Sequence, residues 1–294
     1  MQMYELEQVG AASYYVNCPA KIGIYVGAQK DAYLIDSGND KDAGRKVRQI
    51  LEREGWQLKA VFHTHSNADH IGGSRYLQAQ TGCRIYAPGI ECAFTRYPVL
   101  EPAFLYGGYP NGALRHKFLM AQESDAQELS DNVLPEGMQV IPLPGHFFDM
   151  VGFRTKDDVV YLADCLMSED SLKKYGIGFI YDVAAYLDTL EKVKEMEAAR
   201  FVPAHAPAAD EIAPLAAQNI AKVNEIAETI EQLLKEPMMF EPLLKLLFDR
   251  YELTMNFEQY VLVGSTVRSY LSYLADAGKV RANFDENCLL WERV

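Results

Sequence analysis

Hydrophobic and polar positions alternate from residue 3 to residue 36, in a stretch rich in Tyr, Val and Ile that Gly10, Pro19 and Gly27 interrupt. A period of two with such breaks predicts successive antiparallel strands. Leu34 and Ile35 run into Asp36-Ser37-Gly38, a strand entering a tight turn. After Asp40 the period lengthens: Val47, Ile50 and Leu51 fall at helical spacing, Gly55 closes the helix, and 58–62 resumes as a strand. A further helix is expected over 74–80, beside Gly72-Gly73, and a short strand over 84–87.

Periodicity weakens between Pro88 and Pro135, where Tyr97, Phe104, Tyr106, Tyr109 and Phe118 are interleaved with Pro98, Pro102, Gly107, Gly108 and Pro110. A long aromatic-rich irregular segment reads as a lid or binding insert, or as a loop folded on its own aromatics. Strands return at 138–142, 151–154 and 159–163. Leu187, Leu190 and Val193 mark a helix, and Phe201-Val202 a last strand ending at Pro203-Ala204-His205. Strands followed by helices in two successive halves suggest two sheets sandwiched between helices.

The remainder, 213–294, has another character. Ile220, Val223, Ile226, Ile230 and Leu233 form one apolar stripe on a helix that starts near Pro214 and stops before Pro237. Three further helices are expected: over 242–251, from about 257, and one carrying Val267, Tyr270, Leu271 and Leu274 that ends at Gly278. A hairpin of 279–282 and 288–291 closes the chain, so the segment reads as a helix followed by a winged-helix-like domain. From Leu215 onward there are 8 Lys/Arg against 12 Asp/Glu, and Arg268 stands alone on the presumed recognition helix. That balance argues against nucleic acid and for packing, a homodimer contact or shaping of an active-site mouth.

Composition narrows the setting. With 49% hydrophobic and 23% charged residues the chain reads as an ordinary globular protein, and a net charge of -13 makes small molecules the expected partners. Five scattered cysteines without a Cys-x-x-Cys pair fit a reducing cytoplasm, and Cys165 is expected to be a buried, inert thiol. The N-terminal residues carry no secretion pattern and no apolar run is long enough to span a membrane, so a cytoplasmic location is expected.

The chemistry concentrates at strand ends. His65, Asp69 and His70 follow one strand, His146 another in Pro144-Gly145-His146, Asp164 ends the strand over 159–163, and His205 follows Phe201-Val202. Imidazole and carboxylate are ligands of zinc, iron and manganese, and a sheet can bring such ends to one edge. Thr64-His65-Ser66-Asn67-Ala68-Asp69-His70-Ile71-Gly72-Gly73 resembles the Thr-His-x-His-x-Asp-His motif of the metallo-β-lactamase superfamily, with Asn67 where the second His belongs. His146, Asp164 and His205 match the later ligands in order, Leu34 to Gly38 looks like the family's strand and turn, and the likeness covers roughly 10–212.

The resemblance implies a four-layer αββα sandwich of two mixed β-sheets (class α/β, or α+β) over 1–212. It implies metal 1 on His65 and His146, and metal 2 on Asp69, His70 and His205, with Asp164 between them. Asn67 offers a neutral amide oxygen, so site 1 should bind more weakly. A rival register takes His63 as the missing ligand. The intact spacing after Thr64 favours substitution at 67, which leaves His63 on the strand, facing away from Thr64. Zinc is the expected cofactor, in one or two ions, with iron or manganese as alternatives.

The activity implied is hydrolysis of a small ester, thioester or lactone, in which the metal activates water and polarises a carbonyl while Asp69 orients the nucleophile. Tyr106, Tyr109, Arg115, His116 and Lys117 in the insert are candidate substrate contacts. Two alternatives stand beside it. His65, His146 and Asp164 are the two-His, one-carboxylate set of a mononuclear iron oxygenase such as the family's persulfide dioxygenases. A site that has lost a ligand could also serve as a non-catalytic metal or ligand sensor.

Overall fold

The computed structural model describes residues 3–294. The first sheet is built from β1 (Glu5–Gln8), β2 (Ser13–Asn17), β3 (Ile22–Val26), β4 (Asp31–Ile35), β5 (Gln57–Phe62), β6 (Arg84–Ala87) and β7 (Ala126–Glu128), side by side in that order. β1 to β4 pair antiparallel as the alternation predicts, while β4 to β7 pair parallel. The parallel pairs require crossovers, supplied by α1 (Lys41–Glu54) and by α2 (Ala68–Ile71) with α3 (Ser74–Thr81).

One residue sets how β5 faces. Ala32 pairs with Leu58 but Tyr33 with Ala60, so Lys59 is an extra residue in the ladder. The shift sends Leu58 and Val61 to the outer core against α1, where Val47, Ile50 and Leu51 lie, and Ala60 and Phe62 to the inner face. The inner core is closed by Phe153, Tyr161 and Val202 from the second sheet.

The insert is more ordered than its sequence suggests. It folds α4 (Glu91–Arg96) and α5 (Leu100–Tyr106) before reaching β7 in the first sheet. Pro102 sits in the first turn of α5, where its missing N–H costs nothing.

The second sheet holds β8 (Gln139–Pro142), β9 (Val151–Arg154), β10 (Val159–Met167) and β11 (Arg200–His205), in the order β11-β10-β9-β8. It is also mixed: β10 runs parallel to β11 and antiparallel to β9. Its outer face is covered by α7 (Val183–Lys194), which follows the short α6 (Glu169–Tyr175), and by α8 (Ala213–Leu233). Helix, sheet, sheet and helix give the expected αββα layering.

Beyond α8 come α9 (Phe240–Arg250), α10 (Phe257–Asp276) and the hairpin of β12 (Val280–Asp285) and β13 (Cys288–Arg293). The two separate helices expected between 257 and 278 are one continuous helix, since nothing in 257–276 breaks it and Asn256 caps its start through Gln259 N. Leu162 and Phe201 of the second sheet share an apolar core with Ile226, Leu247 and Tyr270 of these helices. The C-terminal helices are thereby fastened to the side of the sandwich where β10 and β11 end. Among the described residues, no helix is long and apolar enough to cross a membrane.

Candidate metal centre

The strand ends carrying the chemistry meet at one edge of the sandwich. Asp36 follows β4, residues 63–70 follow β5, His146 lies in the turn after β8 and His205 ends β11, while Asp164, expected to end a strand over 159–163, lies inside β10, which runs on past it to Met167 through an irregular register. The donor atoms of Asp69, His70, Asp164 and His205 lie within 4.8 Å of one another, and so do those of His65, His146 and Asp164. The sequence-predicted ligands are thus gathered into two groups that share Asp164.

Each imidazole of the motif is aimed from behind. His70 donates Nδ1–H to Asp36 Oδ2 at 2.8 Å, and His205 donates Nδ1–H to the Pro19 carbonyl at 2.9 Å. His65 Nδ1 lies 3.0 Å from Thr64 Oγ1, whose hydroxyl donates to Asp36 Oδ2 at 2.7 Å. These bonds fix the tautomers and leave every Nε2 pointing inward. Asp36 also accepts Thr64 N–H at 2.9 Å, so one buried carboxylate orients two candidate ligands.

His63 does not fill the gap at position 67. Its ring turns away from the metal cluster, with Nδ1 3.3 Å from Asp36 Oδ1 and Nε2 2.7 Å from Ser74 Oγ. This is the outcome of strand alternation: Thr64 and His63 leave opposite sides of the same backbone.

The donors fit a cation. Ligands about 2.1 Å from a tetrahedral ion stand roughly 3.4 Å apart. Here His70 Nε2 is 3.1 Å from Asp164 Oδ1 and 3.7 Å from Asp69 Oδ2, while His205 Nε2 is 3.1 Å from Asp164 Oδ2 and 3.3 Å from Asp69 Oδ2. His65 Nε2, His70 Nε2 and Asp164 Oδ1 are buried without a hydrogen-bond partner, a costly state that an ion would relieve. The electrostatics agree. Burial alone would lower the His205 pKa, yet Asp164 and Asp69 overcome it and hold it at about 10. His70 is likewise pushed well up against its burial by Asp164, Asp69 and Asp36. Two carboxylates thus hold two protons where a divalent ion would sit, so loading the site must release protons.

The other group is thinner. Burial, with His70 and His146 nearby, lowers the His65 pKa to about 3, so its neutral ring is ready to ligate. At position 67 the side chain is fixed by Glu101 of α5, whose Oε1 accepts Asn67 Nδ2–H at 2.8 Å. That bond sets the amide so that its oxygen, 3.2 Å from His146 Nε2, faces the group. An imidazole is replaced by a neutral oxygen, a weaker ligand for zinc.

Glu101 escapes sequence reasoning because it lies in an aperiodic insert and nothing local marks a buried glutamate. Glu91 of α4 is similar: it accepts Ser66 N–H and the Ser66 hydroxyl on one oxygen and Asp149 N–H on the other, tying the motif loop to the turn before β9.

A cavity of about 550 Å³ opens over the cluster, bordered by Asn67, Asp69, Glu101, His146, Asp164 and His205. The five insert candidates do not border it; Phe118 and Leu119 do. Tyr109 is exposed and carries Arg115 against its ring, Tyr106 meets Phe257, His116 turns to Glu258, and Lys117 donates to Asp40. Cys165 faces the apolar core on the other side of β10, as expected for the residue after Asp164.

Comparisons with known proteins bear on the family and the fold. The chain spans about half the length of the curated relatives it matches. A hydroxyacylglutathione hydrolase of Rhodopseudomonas palustris (strain BisB18) is 29% identical over 143 residues, 49% of this chain and 45% of the relative. A β-lactamase-like protein 2 homolog of Drosophila melanogaster is 24% identical over 187 residues, 61% of this chain and 56% of the relative. In overall shape, a β-lactamase domain protein from Burkholderia ambifaria covers 99% of this chain and 94% of its own, with a TM-score of 0.78 at 16% identity. A metallo-β-lactamase family protein from Thermus thermophilus covers 100% and 98%, with a TM-score of 0.73 at 17% identity. The family model of the metallo-β-lactamase superfamily matches residues 20–205, from just before β3 to the last histidine of the cluster, and the chain belongs to that superfamily.

Proposed function

We propose that the chain is a metal-dependent hydrolase that cleaves a small ester, thioester or lactone by adding water to its acyl carbon. The observation that carries the reading is the convergence of Asp69, His70, Asp164 and His205 at the floor of a cavity of ligand size. The similarity to hydroxyacylglutathione hydrolases supports the same reaction class.

When bound, a metal in this group supplies Lewis acidity that polarises the acyl carbonyl and acidifies water, zinc being the expected ion. Asp69, His70, Asp164 and His205 would hold it there. Asp69 is the member whose carboxylate is most open to the cavity, at 39% side-chain exposure against 11% for Asp164. It also orients the attacking water and takes its proton at the carboxylate's other oxygen, Oδ1. The water oxygen joins the acyl carbon, the bond to the alcohol or thiol oxygen or sulfur breaks, and the proton leaves Asp69 for that departing atom. Phe118 and Leu119 exclude bulk water from one wall.

A second reading rests on the other group: His65, His146 and Asp164 are two histidines and a carboxylate, the set used by mononuclear iron oxygenases. Metal analysis of the purified protein with assays of activated esters, thioesters and lactones in zinc, manganese or iron, beside oxygen uptake with a glutathione persulfide, separates the two. The hydrolase reading expects turnover that Asp69→Ala abolishes. Iron content with oxygen uptake and no hydrolysis would replace it, and no turnover of any kind would leave a sensor.

A further inference from the structure

The cavity over the metal cluster extends past it into a region where α6, α8 and α10 close on the second sheet. Its far walls are carbon: Leu172 of α6, Ile177, Val223 and Ile226 of α8, and Leu262 and Tyr270 of α10. Ile177, Val223, Ile226 and Tyr270 are themselves at most 4% exposed. Protein interiors are packed with few voids larger than a water, so buried side chains surrounding open space of this size mark a place kept for a ligand.

Most polar groups on these walls are already committed. Asn219 accepts Met167 N–H and donates to the Met167 and Leu215 carbonyls. Lys222 donates to Glu225 at 2.6 Å and lies over the Tyr251 ring, and Glu258 is paired with His116. The Tyr270 hydroxyl is buried without a partner, and the Gln259 side chain on α10 also lines this half without a hydrogen bond. A phosphate or nucleotide would find one cation in this half, Lys222, already held by Glu225, and burying its charges largely unpaired would be costly. Apolar walls of this kind favour apolar guests.

We infer that the substrate's acyl group is a straight alkyl chain of medium length, with its carbonyl at the metal cluster and its tail between α8 and α10. The inference rests on the proposed hydrolase reading for the position of the carbonyl, but the binding of an alkyl chain stands apart from it. The C-terminal helices thereby complete the acyl pocket.

Two measurements on the zinc-loaded protein test this together. Calorimetric titration with butan-1-ol and octan-1-ol reads chain binding without chemistry, and each buried methylene adds about 0.8 kcal/mol. Octanol should bind at least tenfold tighter than butanol, and Val223→Phe, which fills the far wall, should reduce that ratio at least tenfold. Leu262→Phe, at a partly exposed position on α10, serves the same purpose should Val223→Phe fail to fold. With acetyl, butanoyl and octanoyl thioesters, kcat/KM should rise along the series, and the octanoyl-to-acetyl ratio should fall in either variant. Selective octanol binding without turnover of any thioester supports the pocket and removes the hydrolase. Turnover that ignores chain length, with octanol bound no tighter than butanol or bound equally in the variants, overturns the inference and leaves the hydrolase standing.

Discussion

At the scale of single residues, the site is decided by what stands behind its ligands. Asp36 serves His70 and, through Thr64, His65, so Asp36→Asn leaves one oxygen to do the work of two. Groups of this kind usually carry 10–100-fold in metal affinity, and a loss of that order, read by chelator competition, is expected here. Asn67→His should restore an imidazole beside His65 and His146 and raise the zinc content at a fixed low free-zinc concentration from about one ion per chain toward two, as measured by elemental analysis. Glu91 gives a signature in pH. Burial, opposed only in part by its bonds to Ser66 and Asp149, raises its pKa from 4.5 to about 7. Between those values the folded state holds a proton that the unfolded chain releases, so the contribution of Glu91 to stability is fullest below pH 4.5 and falls by about 3 kcal/mol as pH rises through this window. Denaturant midpoints taken across it should show that loss in the native protein and a much smaller one in Glu91→Gln. The ligands were legible because histidine and aspartate at strand ends, in the family's order, are specific. Glu101 and Glu91 were not, because their importance comes from burial by distant elements.

At the scale of elements, strands announce themselves and the insert does not. Alternation in 3–36 and the apolar runs at 58–62 and 159–163 translate directly into β1 to β5 and β10, since one face of each strand must reach a core. α4 and α5 escaped notice because their helical turns are short and interleaved with proline, and their orientation is set by contacts with the motif loop and not by an amphipathic stripe. Two glycines show how closely these elements approach. A Cβ on Gly73 would lie 2.3 Å from the Ser37 carbonyl, and one on Gly145, where φ is +120°, would lie 2.3 Å from Tyr186 N. Gly145→Ala should cost about 1–3 kcal/mol and displace His146. Thermal melts should show the first effect, and metal analysis should show site 1 impaired while the group around Asp69 keeps its ion.

At the scale of the whole molecule, two sheets bring four strand ends and the Asp164 segment of β10 to one edge, and the C-terminal helices close the space above them. The sandwich was legible from the sequence. The role of the last eighty residues was legible only as far as shaping the mouth, because their apolar stripes show that they pack without showing against what. The central claim is that Asp69, His70, Asp164 and His205 form a complete metal site while Asn67 leaves its neighbour incomplete. Anomalous diffraction at the zinc edge, from crystals grown with limiting zinc, tests this directly. The account predicts a full peak bounded by Asp69, His70, Asp164 and His205, with a weaker peak or none beside His65, His146 and the Asn67 oxygen. A full peak at His65 and His146 with the Asp69 group empty, or an ion held by His63, would contradict it.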